Sequence, residues 1–251
     1  MKKFILILLL ARSACEAPAQ SPQPHEPCGQ EGQVVRYQEF SLRYSEENEQ
    51  PYWVAYTLVR SELLLPATRK SYFKEDKNII TGSATLEDYK GSNFDRGHLS
   101  RAEYNKKTLK TYKESFLLSN ISPQIGPGFN RTGGLWYKTE EVEKKLCEEY
   151  DTIYCVSGPV FDTCHETIGP DEVTVPACFF KVLVFKDHSG TWQGIGFLLP
   201  HEPDQKTKPE KCMVTIKKVE EETGLDFNCE FLTDEERRRV ETEVAEKGLC
   251  P

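Results

Sequence analysis

Two β-rich runs parted by one short turn constrain this chain more than any other feature. Cys178–Phe185 and Trp192–Leu199 are dense in branched and aromatic residues, and only the turn signal Asp187-His188-Ser189-Gly190 separates them. Strands joined this closely pair antiparallel, because a parallel crossover needs roughly a dozen residues or more. Tyr52–Val59, Ser115–Ser119 and Ile153–Ser157 predict three further strands, the second ending at Asn120 and the third stopped by Gly158-Pro159. Leu135, Val142, Leu146 and Tyr150 recur at helical spacing, so 135–149 reads as an amphipathic helix entered through Gly133-Gly134. Residues 215–223 read as a helix stopped at Gly224. Thr233 and Glu236 form a capping box for a last helix, terminated at Gly248. The class is α+β, with a central, mainly antiparallel sheet and flanking helices.

Residues 33–251 read as one continuous domain, and no repeat with a period of roughly 20–50 residues points to a solenoid or propeller. Residues 20–32, rich in Pro, Gln and Glu, read as a flexible linker. Before them, Lys2-Lys3, an apolar run from Phe4 to Ala11 and then small residues follow the order of a signal peptide, 1–19. That run is too short to span a bilayer stably. Ala17-Pro18-Ala19 suits cleavage before Gln20; the alternative is processing near Cys15 with lipid attached, which Arg12 disfavours. The expected location is secreted or otherwise extracytoplasmic. Removing Cys15 with the leader leaves an even number of the nine cysteines, which in an exported chain predicts disulfides. The rival, a zinc site at Cys164, His165 and Cys178, lacks any C-x-x-C pair to support it.

Charge argues against a protein that coats nucleic acid by electrostatics alone. The chain carries −8, and loss of the leader's three cations and one anion takes it to about −10. A local basic cleft remains open, since Arg96, Arg101, Lys106, Lys107, Lys110 and Lys113 lie close together; for the four lysines a solvated helix face is the competing reading. Within this stretch His98 carries the imidazole best suited to acid–base work near neutral pH, although a lone histidine is more often structural.

The company of His98 changes that balance. Phe94-Asp95-Arg96-Gly97-His98-Leu99 is followed by Phe116–Gln124, Phe129-Asn130, Trp136 and Glu140, then Val156–Val160, Val175-Pro176, Phe179–Val182 and Val219–Phe227. With Trp53–Tyr56 upstream, these markers cover roughly residues 40 to 232 and, in this order, resemble the DNA/RNA non-specific endonucleases of the ββα-metal (His-Me finger) type. The resemblance implies a Mg²⁺-dependent enzyme, with Mn²⁺ or another divalent cation as a substitute, cleaving DNA and RNA to 5′-phosphate and 3′-hydroxyl ends. It implies His98 as general base, Asn130 as the direct metal ligand and Asn120 as a hydrogen-bonding support. Arg96 would hold phosphate or the cation's waters, Asp95 would brace the hairpin, and Arg69 would stabilise the transition state with its planar guanidinium. Relatives include dimers, so a homodimer is an open expectation, and no stable membrane span is expected.

Two tensions accompany this. Trp136 follows Asn130 by six residues where the family usually has four, so Thr132-Gly133-Gly134 contains a two-residue insertion and Glu140 is favoured over Glu141 as the site's glutamate. Asn120-Ile121-Ser122 and Asn130-Arg131-Thr132 also match the N-glycosylation pattern, and sugar on either would block the site. The alternative function is a catalytically inactive extracellular nucleic-acid-binding protein on the same fold.

Overall fold

The strands are Gln33–Arg36 (β1), Phe40–Ser45 (β2), Gln50–Val59 (β3), Phe94–His98 (β4), Ile121–Ile125 (β5), Thr152–Val160 (β6), Thr167–Ile168 (β7), Val173–Thr174 (β8), Cys178–Lys186 (β9), Trp192–Pro200 (β10) and Met213–Val214 (β11). Helices occupy Arg60–Leu63 (α1), Leu86–Tyr89 (α2), Leu109–Glu114 (α3), Leu135–Tyr150 (α4), Ile216–Thr223 (α5) and Asp234–Thr242 (α6). This computed structural model describes residues 26–66, 71–162, 166–227 and 231–245. The signal peptide, Arg69, Cys164, Cys229, Cys250 and Gly248 therefore lie outside the described residues.

Seven strands form one sheet in the order β1-β2-β3-β6-β9-β10-β11, every pair antiparallel. The β9–β10 pair is the hairpin expected from the turn at Asp187–Gly190. Period-two alternation sends Phe179, Leu183 and Phe185 to one face and Phe180, Val182 and Val184 to the other. The first face is covered by α4 through Leu135, Trp136, Val142 and Leu146, the helical stripe read from the sequence. Each such side chain contributes about 1.5–3 kcal/mol of burial. The second face is covered by Ile216 and Val219 of α5 and Val240 of α6. Thr233 caps α6 through the capping box expected, Thr215 caps α5, and Gly224 ends α5 in the left-handed region.

Several local expectations need correction. Ser115–Ser119 is not a strand: it leaves α3 and tightens into a helical turn over Leu118–Asn120, and the strand is Ile121–Ile125. Its Leu118, together with Ile121 of that strand, anchors a small third core instead of a face of the large sheet. Gly158-Pro159 does not stop β6, which keeps its pairing with β9 through Val160, although the β3 ladder ends at Ser157. Segment 20–32, expected to be flexible, is docked where it is described. Cys28 exchanges backbone hydrogen bonds with Asp226, the Gln30 amide donates to the Thr223 carbonyl, and Glu26 pairs with Arg36.

Among the described residues no disulfide forms: Cys28, Cys147, Cys155, Cys178 and Cys212 are free thiols. Burial pushes the Cys147 thiol up to about 12 and those of Cys178 and Cys212 up to about 11. No helix among the described residues is long and apolar enough to cross a membrane.

Candidate active site

The site is built on the β4–β5 ribbon, where Asp95 faces Gln124, Arg96 faces Pro123, Gly97 faces Ser122 and His98 faces Ile121. Gly97 is required by contact: a Cβ there would lie 2.1 Å from the Gln124 amide oxygen. Side-chain bonds fasten the ribbon to its scaffold. The Ser122 hydroxyl donates to Gln50 on β3, and the Ser157 hydroxyl on β6 donates to the Leu99 carbonyl. The Ile125 N–H donates to His201 Nε2 at 2.8 Å; with Nε2 accepting, the ring's proton sits on Nδ1 and is donated to the Pro176 carbonyl.

Alternation along β4 puts Arg96 and His98 on the same side, and both meet Phe73. The Arg96 guanidinium lies 4.7 Å from the Phe73 ring centre and the His98 ring 5.3 Å from it, while Phe116 closes on the imidazole edge-to-face at 4.9 Å. Flanked by two phenyl rings, His98 has its pKa pushed down to about 4 by burial, with Arg101 adding to the shift. Its Nε2 is buried and has no hydrogen-bond partner, an orphan polar atom of the kind found at functional sites.

The two asparagines differ in kind. Asn120 is fully buried and saturated: its Oδ1 accepts from the Ser100 N–H, and its Nδ2 donates to the Ser100 and Ser115 carbonyls, each at 2.9 Å. It is a brace. Asn130 is half-buried and sits on the turn Gly126–Asn130 before α4. Its Nδ2 donates to Asp95 Oδ2 at 3.2 Å. An ionised carboxylate only accepts, so the amide must turn its nitrogen to Asp95 and present its oxygen elsewhere. Among the described residues that oxygen has no protein partner. Asp95 is itself clamped by Arg131 through two parallel bonds, 2.9 and 2.7 Å, which hold its carboxyl below the usual range. Asp95 thus braces the Gly126–Asn130 turn and Arg131 rather than the hairpin alone.

Phe73, Tyr89, Phe94, Asp95, Arg96 and Asn130 line an open cleft of about 590 Å³. A neutral amide oxygen on its wall suits a hard divalent cation that keeps most of its waters. Among the described residues no group of three or more His, Cys, Asp or Glu could hold a metal.

The glycine pair before α4 is required by its backbone geometry. Gly133 takes a positive φ, and at Gly134, the N-cap of α4, a Cβ would meet the Phe129 carbonyl at 2.2 Å. The helix therefore restarts at Leu135, directly against the asparagine's turn. This frame turns Glu140 inward, 6 % exposed, where the Trp136 indole N–H donates to its Oε1 at 3.1 Å. Burial pushes Glu140 up to about 7, with Arg101 and Lys181 pulling back. Glu141 lies at the rim, and Arg101 reaches both, at 3.5 Å for Glu140 and 3.0 Å for Glu141.

The cationic stretch does not line a basic cleft. Arg101 is surrounded by Glu103, Glu140 and Glu141; Lys107 bridges Glu39 and Glu62; Lys110 faces Glu114; Lys106 donates to the Leu63 and Leu65 carbonyls. Arg96 alone of the six lines the cleft. Phe73 escaped the sequence reading; Arg101 entered it only as one of six clustered cations and Arg131 only as the middle residue of the Asn130-Arg131-Thr132 sequon.

The profile of the DNA/RNA non-specific endonuclease family matches residues 18–234. The chain belongs to that family. Human mitochondrial endonuclease G is 30% identical over 208 residues, covering 78% of this chain and 69% of that protein. Human mitochondrial nuclease EXOG is 31% identical over 207 residues, covering 76% and 55%, and the mitochondrial nuclease of Saccharomyces cerevisiae is 33% identical over 211, covering 76% and 64%. The chain thus spans between about half and two thirds of these relatives' lengths. A chain in the crystal structure of the EndoG/EndoGI complex superimposes with a TM-score of 0.73 at 27% identity, over 80% of this chain and 88% of that one. With the DNA/RNA non-specific endonuclease family comes its enzyme class, a metal-dependent endonuclease, and with the class a divalent cation. The ββα-metal fold expected of the family is the one observed.

Proposed function

We propose that this family member is an exported, Mg²⁺-dependent endonuclease hydrolysing phosphodiester bonds in DNA and RNA alike, with His98 as general base and Asn130 as metal ligand. The observation that carries the reading is Asn130, whose nitrogen is committed to Asp95 and whose oxygen is left to a cleft shared with Arg96. When bound there, the cation supplies charge neutralisation at the phosphate. The protein's own residues do the rest. His98, kept neutral by its aromatic surroundings, takes a proton from the attacking water as its oxygen closes on phosphorus. Arg96, stacked on Phe73, donates to a non-bridging phosphate oxygen. The P–O3′ bond breaks, the leaving oxygen takes up a proton from water, and the products carry 5′-phosphate and 3′-hydroxyl. Glu140 is the site's carboxylate, Asn120 braces the chain beside His98, and Arg69, outside the described residues, is assigned to the transition state.

Readout of the sugar is not built into this scheme, which is why both nucleic acids are proposed as substrates. The test is incubation of plasmid and RNA with the protein, with Mg²⁺ and with chelator, beside His98→Ala. Metal-dependent cleavage lost in the variant is expected; equal nicking by both proteins removes His98 from its role, and no cleavage by either removes it too and favours the binding-only alternative. Export belongs to the same proposal; the expected disulfides do not, since five of the eight cysteines outside the leader are free thiols. Sequencing the N-terminus of protein recovered outside the cell tests the cleavage before Gln20, and alkylation without reductant counts the thiols. Light scattering reads the homodimer.

A further inference from the structure

A lysine stands where hydrophobic patterning calls for an apolar residue. Lys181 lies between Phe179 and Leu183 on the α4-facing side of β9 and is fully buried. Its Nζ donates to Glu143 Oε1 at 2.8 Å and to the Tyr56 hydroxyl at 3.2 Å, and that hydroxyl donates to the same carboxylate oxygen at 2.9 Å. Glu143 is equally buried, and its second oxygen has no partner. Such a pair loses more solvation than its attraction returns, and an apolar pair of the same volume is commonly as stable or more so. Stability alone therefore does not account for it.

The ammonium is also placed over an aromatic face, 4.1 Å from the centre of the Trp136 ring. The indole N–H of that ring is committed to Glu140 Oε1 at 3.1 Å. Glu140 is faced by Arg101 from the segment following β4, by Lys181 from β9, and by Glu143 on its own helix. Its backbone carbonyl accepts from the Tyr104 hydroxyl at 3.0 Å. A contact path thus runs from the sheet core, through Trp136, to a carboxylate of the candidate site.

We propose that Lys181, held by Glu143 and Tyr56, is a positioning residue that fixes the Trp136 indole and through it the orientation of Glu140. The proposal rests on the reading of Glu140 as the site's carboxylate. It assigns the buried ion pair to activity rather than to stability, and it makes a definite separation between the two.

The experiment uses the whole chain in four variants: Lys181→Met combined with Glu143→Gln, Tyr56→Phe, Trp136→Phe, and Glu140→Gln. Removing both charges together leaves no unpaired ion in the core, and Tyr56→Phe leaves the pair charged and the volume nearly unchanged. Melting temperature, kcat and KM on linear DNA are measured with Mg²⁺. The Trp136 indole N–H resonance is followed by ¹H–¹⁵N correlation in metal-free protein. The double variant is expected to melt at or above the wild-type temperature while kcat falls about 10- to 100-fold with KM little changed. Its indole resonance should move as it does in Glu140→Gln, and adding Trp136→Phe should cost little more, since both act through one ring. If the double variant does not fold, Tyr56→Phe carries the test: a moved indole resonance with lowered kcat supports the proposal, and neither change overturns it. Wild-type kcat in a folded double variant overturns it, as does lost kcat with an unmoved indole. Should Glu140→Gln cleave as fast as wild type, the assignment of Glu140 falls instead, and the indole resonance still decides whether Lys181 acts on Trp136.

Discussion

Alanine at the two sequon asparagines should separate stability from activity. Asn120→Ala removes three hydrogen bonds, each 2.9 Å, inside a fully buried pocket and strands the Ser100 N–H and the Ser100 and Ser115 carbonyls. At about 1 kcal/mol per bond, with more where no water can reach the orphaned group, the loss is about 3 kcal/mol. For a domain of this size that is a fall in melting temperature of roughly 6–12 °C. Asn130→Ala removes one 3.2 Å bond at a half-buried position, so stability should drop by about 1 kcal/mol or less. Its activity should nonetheless fall at least about 100-fold, because the one protein oxygen proposed for the cation is gone. Urea denaturation followed by circular dichroism gives the first quantity, and initial rates on plasmid with saturating Mg²⁺ give the second. An Asn120→Ala protein that unfolds within about 1 kcal/mol of wild type would refute the bracing argument. An Asn130→Ala protein with near-normal rates would refute the ligand argument.

Further outcomes follow from the same geometry. With a pKa near 4 instead of 6.5, His98 stays unprotonated well below neutrality: followed by NMR, its imidazole should be half-protonated near pH 4 and roughly 97 % neutral at pH 5.5, while an acid limb of kcat/KM near pH 7 would report Glu140. Phe73→Ala uncovers the ring and should move the imidazole midpoint upward; a wild-type midpoint near pH 6.5 would contradict the burial argument. Because the folded value is depressed, His98 also makes the native state less stable as pH falls from about 6.5 towards 4, measurable as a drop in urea midpoint. Gly134→Ala forces a Cβ onto the Phe129 carbonyl and should cost about 1–3 kcal/mol together with activity, read by thermal melting and plasmid assay. Intact-mass spectrometry of exported protein should find no glycan at Asn120 or Asn130; sugar on active protein would remove both from the site.

Much of the scaffold was legible because its signals are local. The β9–β10 turn, the stripe on α4 and the threonine caps of α5 and α6 each depend on a few neighbouring residues. Ser115–Ser119 misled for the opposite reason: its Leu118 is buried by residues distant in the chain, in the third core and not on a sheet face. The candidate site residues came from an ordered set of markers, yet their supports did not. Phe73 meets His98 only in three dimensions, and Arg131 explains Asp95 only once β4 and the Gly126–Asn130 turn are adjacent. Lys181 did leave a mark, a cation inside the run Phe179–Phe185, but the run's alternation had to be mapped onto faces before it was odd.

Every residue proposed for the chemistry, from Arg69 to Glu140, falls between β3 and β6, which are neighbours in the sheet. Val54 pairs with Ser157, so closing that ladder means closing a loop of about a hundred residues that contains the entire candidate site. Such a closure is slow, and it is repaid only when the enclosed segment packs. Refolding should therefore return cleavage and native β-structure with one shared rate constant. A cell that makes this enzyme would then hold either an unfolded chain or a competent nuclease, with no folded but harmless form between them.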